Sequence, residues 1–384
     1  PMIIKQHQWK RTTGWHPALN VGGRPEAQLV LVFGAAGVIE DARLLGEIRA
    51  SYPEAVLCGA STAGEICCAE VCDDTLTVTA IHWEHTRVRV AGECIGHAAD
   101  SLAVGRRLAE HLDEKDLRHV FVLSDGLHVN GSDLARGLMC GLSSQVSITG
   151  GLAGDGARFR KTSVLWQDGW LSDCVTAVGF YGDRLQVGYG SYGGWDPFGP
   201  ERLVTRSRGN VLYEMDGKSA LELYKTYLGK HARELPASGL LFPLSLRAGD
   251  RTGPLVRTLL AIDEQDQSMT FAGDIPEGSY ARLMKANYDR LIDGAVTAAR
   301  TGRDILGPGR PELVILISCI GRKLILKQRV EEEVEGVQEV LGRDAIYTGF
   351  YSYGEIAPTA AAGRCELHNQ TMTITVFAEK ETHA

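Results

Sequence analysis

Three short apolar runs recur in similar surroundings: Leu29–Gly34, His119–Ser124 and Leu313–Ser318. Each is apolar at odd and even positions alike, the pattern of a strand buried on both faces. A loop and a stretch with helical spacing follow each run. A second strand then ends in glycines, at Gly59–Ile66, Gly150–Asp155 and Gly349–Ile356. Gly59, Gly64, Glu65 and Ile66 match Gly349, Gly354, Glu355 and Ile356 at the same spacing. A third strand closes each copy, at Thr75–Ala80, Val175–Phe180 and Thr371–Val376. The first and last of these alternate at period two, so one face is apolar. The chain thus predicts repeated βαββ-like units. In each, a helix crosses between parallel strands and the last strand returns antiparallel. The expected fold class is α/β (mixed α+β): two related domains of mixed β-sheets flanked by helices.

The helical segments show stripes. Val330, Val334, Val337 and Leu341 stand on one face of a helix whose other sides carry Glu331 to Glu333 and Glu335. Leu102, Gly105, Leu108 and Leu112 form another stripe. A longer helix is expected from about Tyr280 to Arg300. Ser132 is expected to cap a helix starting at Asp133, and a further helix to run from Ser219 to Leu228. Glycines and prolines between Gly188 and Pro200 argue against a regular element there and mark the exit from the first domain. The division expected is an N-terminal extension over 1–28, a first domain over 29–217 and a second over 218–384.

Composition narrows the class. The 384 residues are 44% hydrophobic and 23% charged, which are globular proportions. A net charge of −8 argues against nucleic acid and against an anionic membrane surface as partners. The polar first residues and the absence of any apolar run near the ~20 residues of a membrane span predict a soluble, cytoplasmic protein with no membrane insertion. The 9 cysteines are expected to be reduced. Cys67, Cys68 and Cys72 crowd together, either as soft-metal ligands or as structural or incidental thiols. Gly217-Lys218-Ser219 lacks the leading glycine of a phosphate loop. The glycines of Gly150–Gly156 lack dinucleotide spacing. Gly59–Ala63 has alanine where a nucleophile elbow has glycine. No set of nucleophile, base and orienting group emerges, so the chain is expected to be no enzyme.

Several segments together carry a resemblance. They are Ser124–Ser132, Gly150–Asp155, Gly193–Glu201, Phe271–Glu277, Ser318–Arg322, Gly349–Ile356 and Leu367–Thr371. With these the chain resembles the FIST family of bacterial sensory proteins, with its paired N- and C-terminal domains. Its architecture is similar to a NosP-type subgroup of haem-binding nitric-oxide sensors. That resemblance implies non-covalent haem b, nitric oxide as diatomic ligand and a sensor histidine kinase as regulated partner, and it leaves room for a homo-oligomer. The wider family implies an alternative, a receptor for a small ligand such as an amino acid.

A haem sensor needs an apolar slot and an axial ligand, most often histidine. His368 is the first candidate for ligand. If its strand begins there, it shares parity with Met372, Ile374 and Val376; otherwise it is a buried histidine that bonds backbone. His82 shares parity with Leu76, Val78 and Ala80, or sits at a wet strand end. His128 follows the first strand of the middle unit, at the strand end where α/β sheets bind ligands, or is a plain loop histidine. Cys319 is a candidate thiolate or a small buried residue. Arg322 and Lys323 could meet an anionic ligand, with Arg202, Arg206 and Arg208 as a second basic cluster. Tyr351 and Tyr353 could line a pocket or serve packing.

Overall fold

The computed structural model describes residues 2–19, 27–167, 169–247, 255–359 and 363–380. The three apolar runs are strands Leu29–Ala35, Leu117–Ser124 and Leu313–Cys319, buried throughout apart from Arg118. Each pairs parallel with a second strand: Val56–Thr62, Ser147–Leu152 and Ile346–Ser352. Each pairs antiparallel with a last strand: Thr75–His82, Cys174–Tyr181 and Met372–Glu379. The expected unit is therefore built three times. It is also wider than expected, because an edge strand precedes each copy. Ile3–Lys10, Arg87–Cys94 and Leu185–Tyr192 add antiparallel to the last strands.

The units are not self-contained. After its second strand, each sends a short hairpin into the sheet of another. Glu65–Cys67, from the first unit, pairs with Ile346–Ser352 of the third. Gly354–Pro358, from the third, pairs with Ser147–Leu152 of the second. Val164–Trp166, from the second, pairs with Val56–Thr62 of the first. The exchange closes a ring, and all three sheets share one order of six strands, with Gly14–His16 added to the first.

Why the runs are apolar at every position follows from this arrangement. Alternate residues Leu29, Leu31, Phe33, Phe121, Leu123, Leu313, Ile315 and Ile317 face one shared central core. Their neighbours Val30 and Val32, and Val120, Val122, Val314 and Leu316, face the helices outside. The last strands keep the apolar face read from their alternation, with Leu76, Val78, Ile374 and Val376 turned to the helices. Their threonine face is buried as well. It forms the seams between units: Cys58 to Thr176 at 3.5 Å, Thr149 to Thr375 at 2.7 Å and Thr79 to Thr348 at 3.0 Å. Each seam joins a second strand to the last strand of another unit, while Thr77 Oγ1 on the same buried face has no hydrogen-bond partner.

Helices Ser101–Leu112 and Val330–Leu341 lie where their stripes put them. Three expectations need correction. Tyr280–Lys285 is a strand, and the long helix runs Tyr288–Leu306, because Asn287 caps it through Arg290 N–H. The helix near Ser132 begins at Gly131, since Asn130 accepts from both Ser132 and Asp133 amides. Leu185–Tyr192 is a regular strand despite its glycines. A Cβ at Gly188 or Gly190 would lie 2.0 Å from the carbonyl oxygens of Gly302 and Ala298 in the long helix. Glycine here permits strand and helix backbones to touch.

Between the edge strand and the first strand of the third unit, the chain builds a fourth sheet from strands between Asp196 and Lys285. It carries the Ala220–Leu228 helix, capped by Ser219, and its own core around Leu221, Tyr224, Met269 and Phe271. The 217/218 division falls inside this sheet, where Glu214 pairs with Ser219. Among the described residues no helix is long and apolar enough to cross a membrane. One thiol expectation is also corrected: Cys94 and Cys174, opposite each other across two strands, form a disulfide.

Gly190→Ala should lower stability by about 2 kcal/mol, within the range for overpacking, read as a lower urea midpoint with an unchanged m-value. The same substitution at the solvent-facing Gly37, where nothing lies within 4 Å of an added Cβ, should leave the midpoint in place.

Candidate functional site

The middle unit's first strand ends at Ser124, and Asp125 follows, fully buried. One carboxylate oxygen accepts the amides of Leu127 and His128, both at 2.8 Å. The other accepts Thr162 Oγ1 at 2.9 Å and Asp173 N–H at 3.2 Å. This locks a turn that delivers Asn130 as the cap of the Gly131–Gly141 helix. The fourth sheet stands opposite, presenting Asn210, Leu260, Phe271 and Asp274. The cleft between them has a volume of about 270 Å³. Asn130 Nδ2 reaches across it to Asp274 Oδ1 at 3.4 Å.

Aromatic rings form another wall. Phe159 stacks on Tyr353 with centroids 4.3 Å apart. The Tyr353 hydroxyl donates to Gly156 O at 2.9 Å and accepts the Phe159 amide at 3.2 Å. Burial pushes this phenol up to about 12, so it stays neutral. His128 sits at the exposed rim, its Nδ1 2.7 Å from Asp173 and 3.5 Å from Asp125. Asp125, His128 and Asp173 are the group among the described residues whose ligand atoms all lie within 4.8 Å of one another. Four donors already occupy Asp125, so the group serves as a turn lock. Arg257, buried beside Gly273, holds the far wall. Its Nε donates to Asp274 O at 3.1 Å and its Nη1 to Leu367 O at 2.8 Å.

Of the residues singled out from sequence, the structure brings His128 and Tyr353 into this cleft. His368 lies behind it. The parity argument for His368 does not apply, because its strand is Cys365–His368 and a separate strand starts at Met372. Its Nε2 is 3.0 Å from Ala357 O on the neighbouring strand. His82 is elsewhere, at the end of Thr75–His82 opposite Ile3. Arg322 and Tyr351 are fully buried together. All five guanidinium donors of Arg322 are used, on Glu333, Gly193 O, Gln370 O and Leu291 O. Tyr351 donates to the other Glu333 oxygen at 2.7 Å, and Ser318 joins at 3.0 Å. This cluster ties the third unit to its helices and leaves no donor for a ligand. Cys319 is buried, which pushes its thiol up. Lys323 donates to Ala63 O at 3.0 Å.

Sequence reading missed Asp274, Asn210, Asn130 and Phe159. The signal was present in part: Phe271–Glu277 and Ser124–Ser132 were both distinctive segments, and the fold places them face to face.

Two buried carboxylates repeat one task. Glu65 accepts from Thr62, Thr75 Oγ1 and Thr75 N–H. Glu355 accepts from Ser352, Thr371 Oγ1 and Thr371 N–H. Desolvation pushes Glu65 up to about 7 and Glu355 up to about 8. A free glutamate titrates near 4.3, so between those values the folded chain binds more protons than the unfolded one. Stability should therefore fall as pH rises from about 4.5 to 8, and Glu355→Gln should flatten that slope in urea titrations. Arg322→Met strands Glu333 without a cation and should cost about 3–5 kcal/mol, read by the same titration.

Comparison with known proteins places the chain. The FIST N domain matches residues 28–218, and the FIST C domain matches residues 220–358. An uncharacterized protein of Methanocaldococcus jannaschii is 27% identical over 225 residues, which are 55% of this chain and 41% of that protein. The chain thus spans about two fifths of that relative's length. The crystal structure of cyanuric acid hydrolase from A. caulinodans matches over 99% of this chain and 100% of that one, at 10% identity and a TM-score of 0.39. Nothing of that enzyme's chemistry transfers at such distance. The two domain matches together take in most of the sequence, and the chain belongs to the FIST family of sensory and signalling proteins.

Proposed function

We propose that the cleft between the Gly131–Gly141 helix and the fourth sheet is the receptor site for a small zwitterion such as an amino acid, and that the occupied state is read by a partner histidine kinase. One observation carries this reading: Asp274 and the capped helix start face each other across 3.4 Å at Asn130, beside the Tyr353–Phe159 stack. A carboxylate suits a ligand ammonium. Asn130 already holds the amides of Ser132 and Asp133, so a ligand carboxylate would be met by the positive end of the helix dipole, and the stacked rings suit an apolar side chain. At about 270 Å³ the cleft is near the lower limit of ligand pockets, which run from about 300 Å³ upward. That size favours an amino-acid-like ligand over a tetrapyrrole. Because the two walls come from different sheets, a ligand bridging them changes how firmly the fourth sheet is held, and that change is the natural output to a kinase.

A second reading, a NosP-type haem sensor of nitric oxide, has one observation in its favour. His128 has its Nδ1 against Asp173, which fixes the ring and leaves Nε2 as the nitrogen that would hold the haem iron. Haem b supplies the diatomic-binding iron in that reading, and the cleft would have to widen to take it.

A thermal-shift panel of amino acids on the purified chain tests the first reading. A ligand at 100 times its Kd should stabilise by about 2.7 kcal/mol, and Asp274→Ala should abolish the shift. No shift across the panel would overturn it. A visible spectrum after addition of haem tests the second: a Soret band lost in His128→Ala supports it, and a colourless protein rejects it. Addition of the chain to the partner kinase should change its autophosphorylation in a ligand-dependent way.

A further inference from the structure

The Arg87–Cys94 edge strand ends where the cleft begins. Its last residue, Cys94, lies opposite Cys174, the first residue of Cys174–Tyr181, and a disulfide joins the two. The other seven cysteines among the described residues are free. Cys94 is exposed and Cys174 is buried. Beyond this pair the two segments part, and each runs into a wall of the cleft.

On one side, Asp173 precedes Cys174 with φ of +57°, a left-handed turn. Its amide, carbonyl and carboxylate are all engaged. The amide donates to Asp125, the carbonyl accepts Ile95 N–H at 2.7 Å, and the carboxylate stands 2.7 Å from His128 Nδ1. The Cys174 carbonyl accepts the Asp125 amide at 2.9 Å. On the other side, Ile95 leads to His97, whose Nδ1 accepts the Ala99 amide at 3.1 Å, and to Ala98, which lines the cleft. Ser101 Oγ donates to Ala98 O at 2.7 Å and accepts the Asn130 amide at 2.9 Å. Asn130 is the cap that reaches Asp274. Both paths from the disulfide therefore converge on the segment from His128 to Asn130.

We propose that the Cys94–Cys174 disulfide is a redox switch on the cleft: a dithiol reductant opens it, and the walls at Ala98, His128 and Asn130 then loosen. A thiolate of the dithiol attacks the Cys94 sulfur, which lies on the exposed residue, and forms a mixed disulfide. The Cys94–Cys174 bond breaks, and Cys174 leaves with the electron pair and takes a proton. The second thiol of the reductant loses its proton, attacks the reductant's own bound sulfur and releases Cys94, which is protonated in turn. The reductant ends as an internal disulfide, and two electrons and two protons have passed to the protein.

The ladder explains why loosening reaches the cleft. Cys94 and Cys174 are its terminal pair, and the bond from Ile95 N–H to Asp173 O lies just beyond them. Element ends open most easily, and here the disulfide holds the end that leads to the cleft. It also closes 80 residues of chain, which include Asp125 and the Gly131–Gly141 helix. Closing a loop of that length withdraws chain freedom that reduction restores. Two thiols in contact also stand farther apart than two bonded sulfurs, so the reduced pair separates. The effect on affinity rests on the zwitterion reading of the cleft: a ligand that must order the walls itself binds more weakly.

The experiment compares the full chain, purified in air, before and after dithiothreitol. Peptide mass spectrometry should find Cys94 joined to Cys174 before treatment and both as thiols after it. With no amino acid present, hydrogen exchange at Ile95, Leu127, His128 and Asp173 should speed up about ten-fold on reduction, while Val32 and Val314 in the other sheets keep their rates. Cys94→Ser should show the faster exchange without reductant and not respond to it, and circular dichroism establishes that it folds. Any amino acid of the panel that stabilises the oxidised chain should bind the reduced chain about ten-fold more weakly. Absence of the disulfide after purification in air, equal exchange in the two redox states, a rise shared equally by Val32 and Val314, or equal affinity overturns the proposal. A panel silent in both states, with faster exchange at the cleft on reduction, upholds the switch and removes the zwitterion reading.

Discussion

Each unit of this protein finishes its sheet with a hairpin from another unit, and everything else rests on that exchange. An unpaired strand edge is a row of exposed amides and carbonyls. Here the edges of Val56–Thr62, Ser147–Leu152 and Ile346–Ser352 are all covered by exchanged hairpins. No unit can therefore be removed without exposing the edge of another. The central core has the same property, because Phe33 packs on Phe350 at 4.8 Å and Phe180 on Phe377 at 5.0 Å, in each case across units. Threonine is the residue of the seams for a physical reason. It is β-branched, so it suits a strand, and its hydroxyl both donates and accepts, so two of them satisfy each other where the sheets meet.

The rigid ring gives the cleft one fixed wall. The fourth sheet supplies the other, hung from the third unit and held by two buried arginines. Arg257 binds the carbonyl of Leu367 in the exchanged hairpin. Arg322 binds the carbonyl of Gly193, just before the chain enters the sheet. Both fix position through backbone carbonyls and leave the side chains that line the cleft unengaged by them. Asp274 is then left as the acidic group at the mouth, with His128 and Asp173 paired at the rim.

Much of the fold was legible from the chain, and the reasons differ by element. The first strands were clear because both faces are buried, which removes polar residues altogether. The Gly-Glu-Ile repeat was visible because the glutamate has one task, holding the start of the last strand through Thr75 or through Thr371, just before Met372. The exchange of hairpins was not legible, since alternation along a strand does not say which sheet it joins. Leu185–Tyr192 was misread because glycines at a backbone contact look the same in sequence as glycines in a loop. His368 was misplaced by a break of three residues, Asn369 to Thr371, which resets strand parity. His128 stood out for following a strand end and Tyr353 for alternating with Tyr351 before Gly354, and both line the cleft. Asp274 was not, because its role depends on a long excursion folding back over the middle unit.

The threefold pattern is not equal all round. In the first and third units a glutamate of the hairpin caps the last strand. In the second, the amide of Asp173 is capped by Asp125, which belongs to the end of the first strand. The segment after Leu152 is thereby released from that duty and carries Phe159 to the cleft instead. The symmetry defect and the cleft are one place. Asymmetry in the origin of a single carboxylate sets the middle unit's corner, with its cleft, apart from the equivalent turns of the other two units.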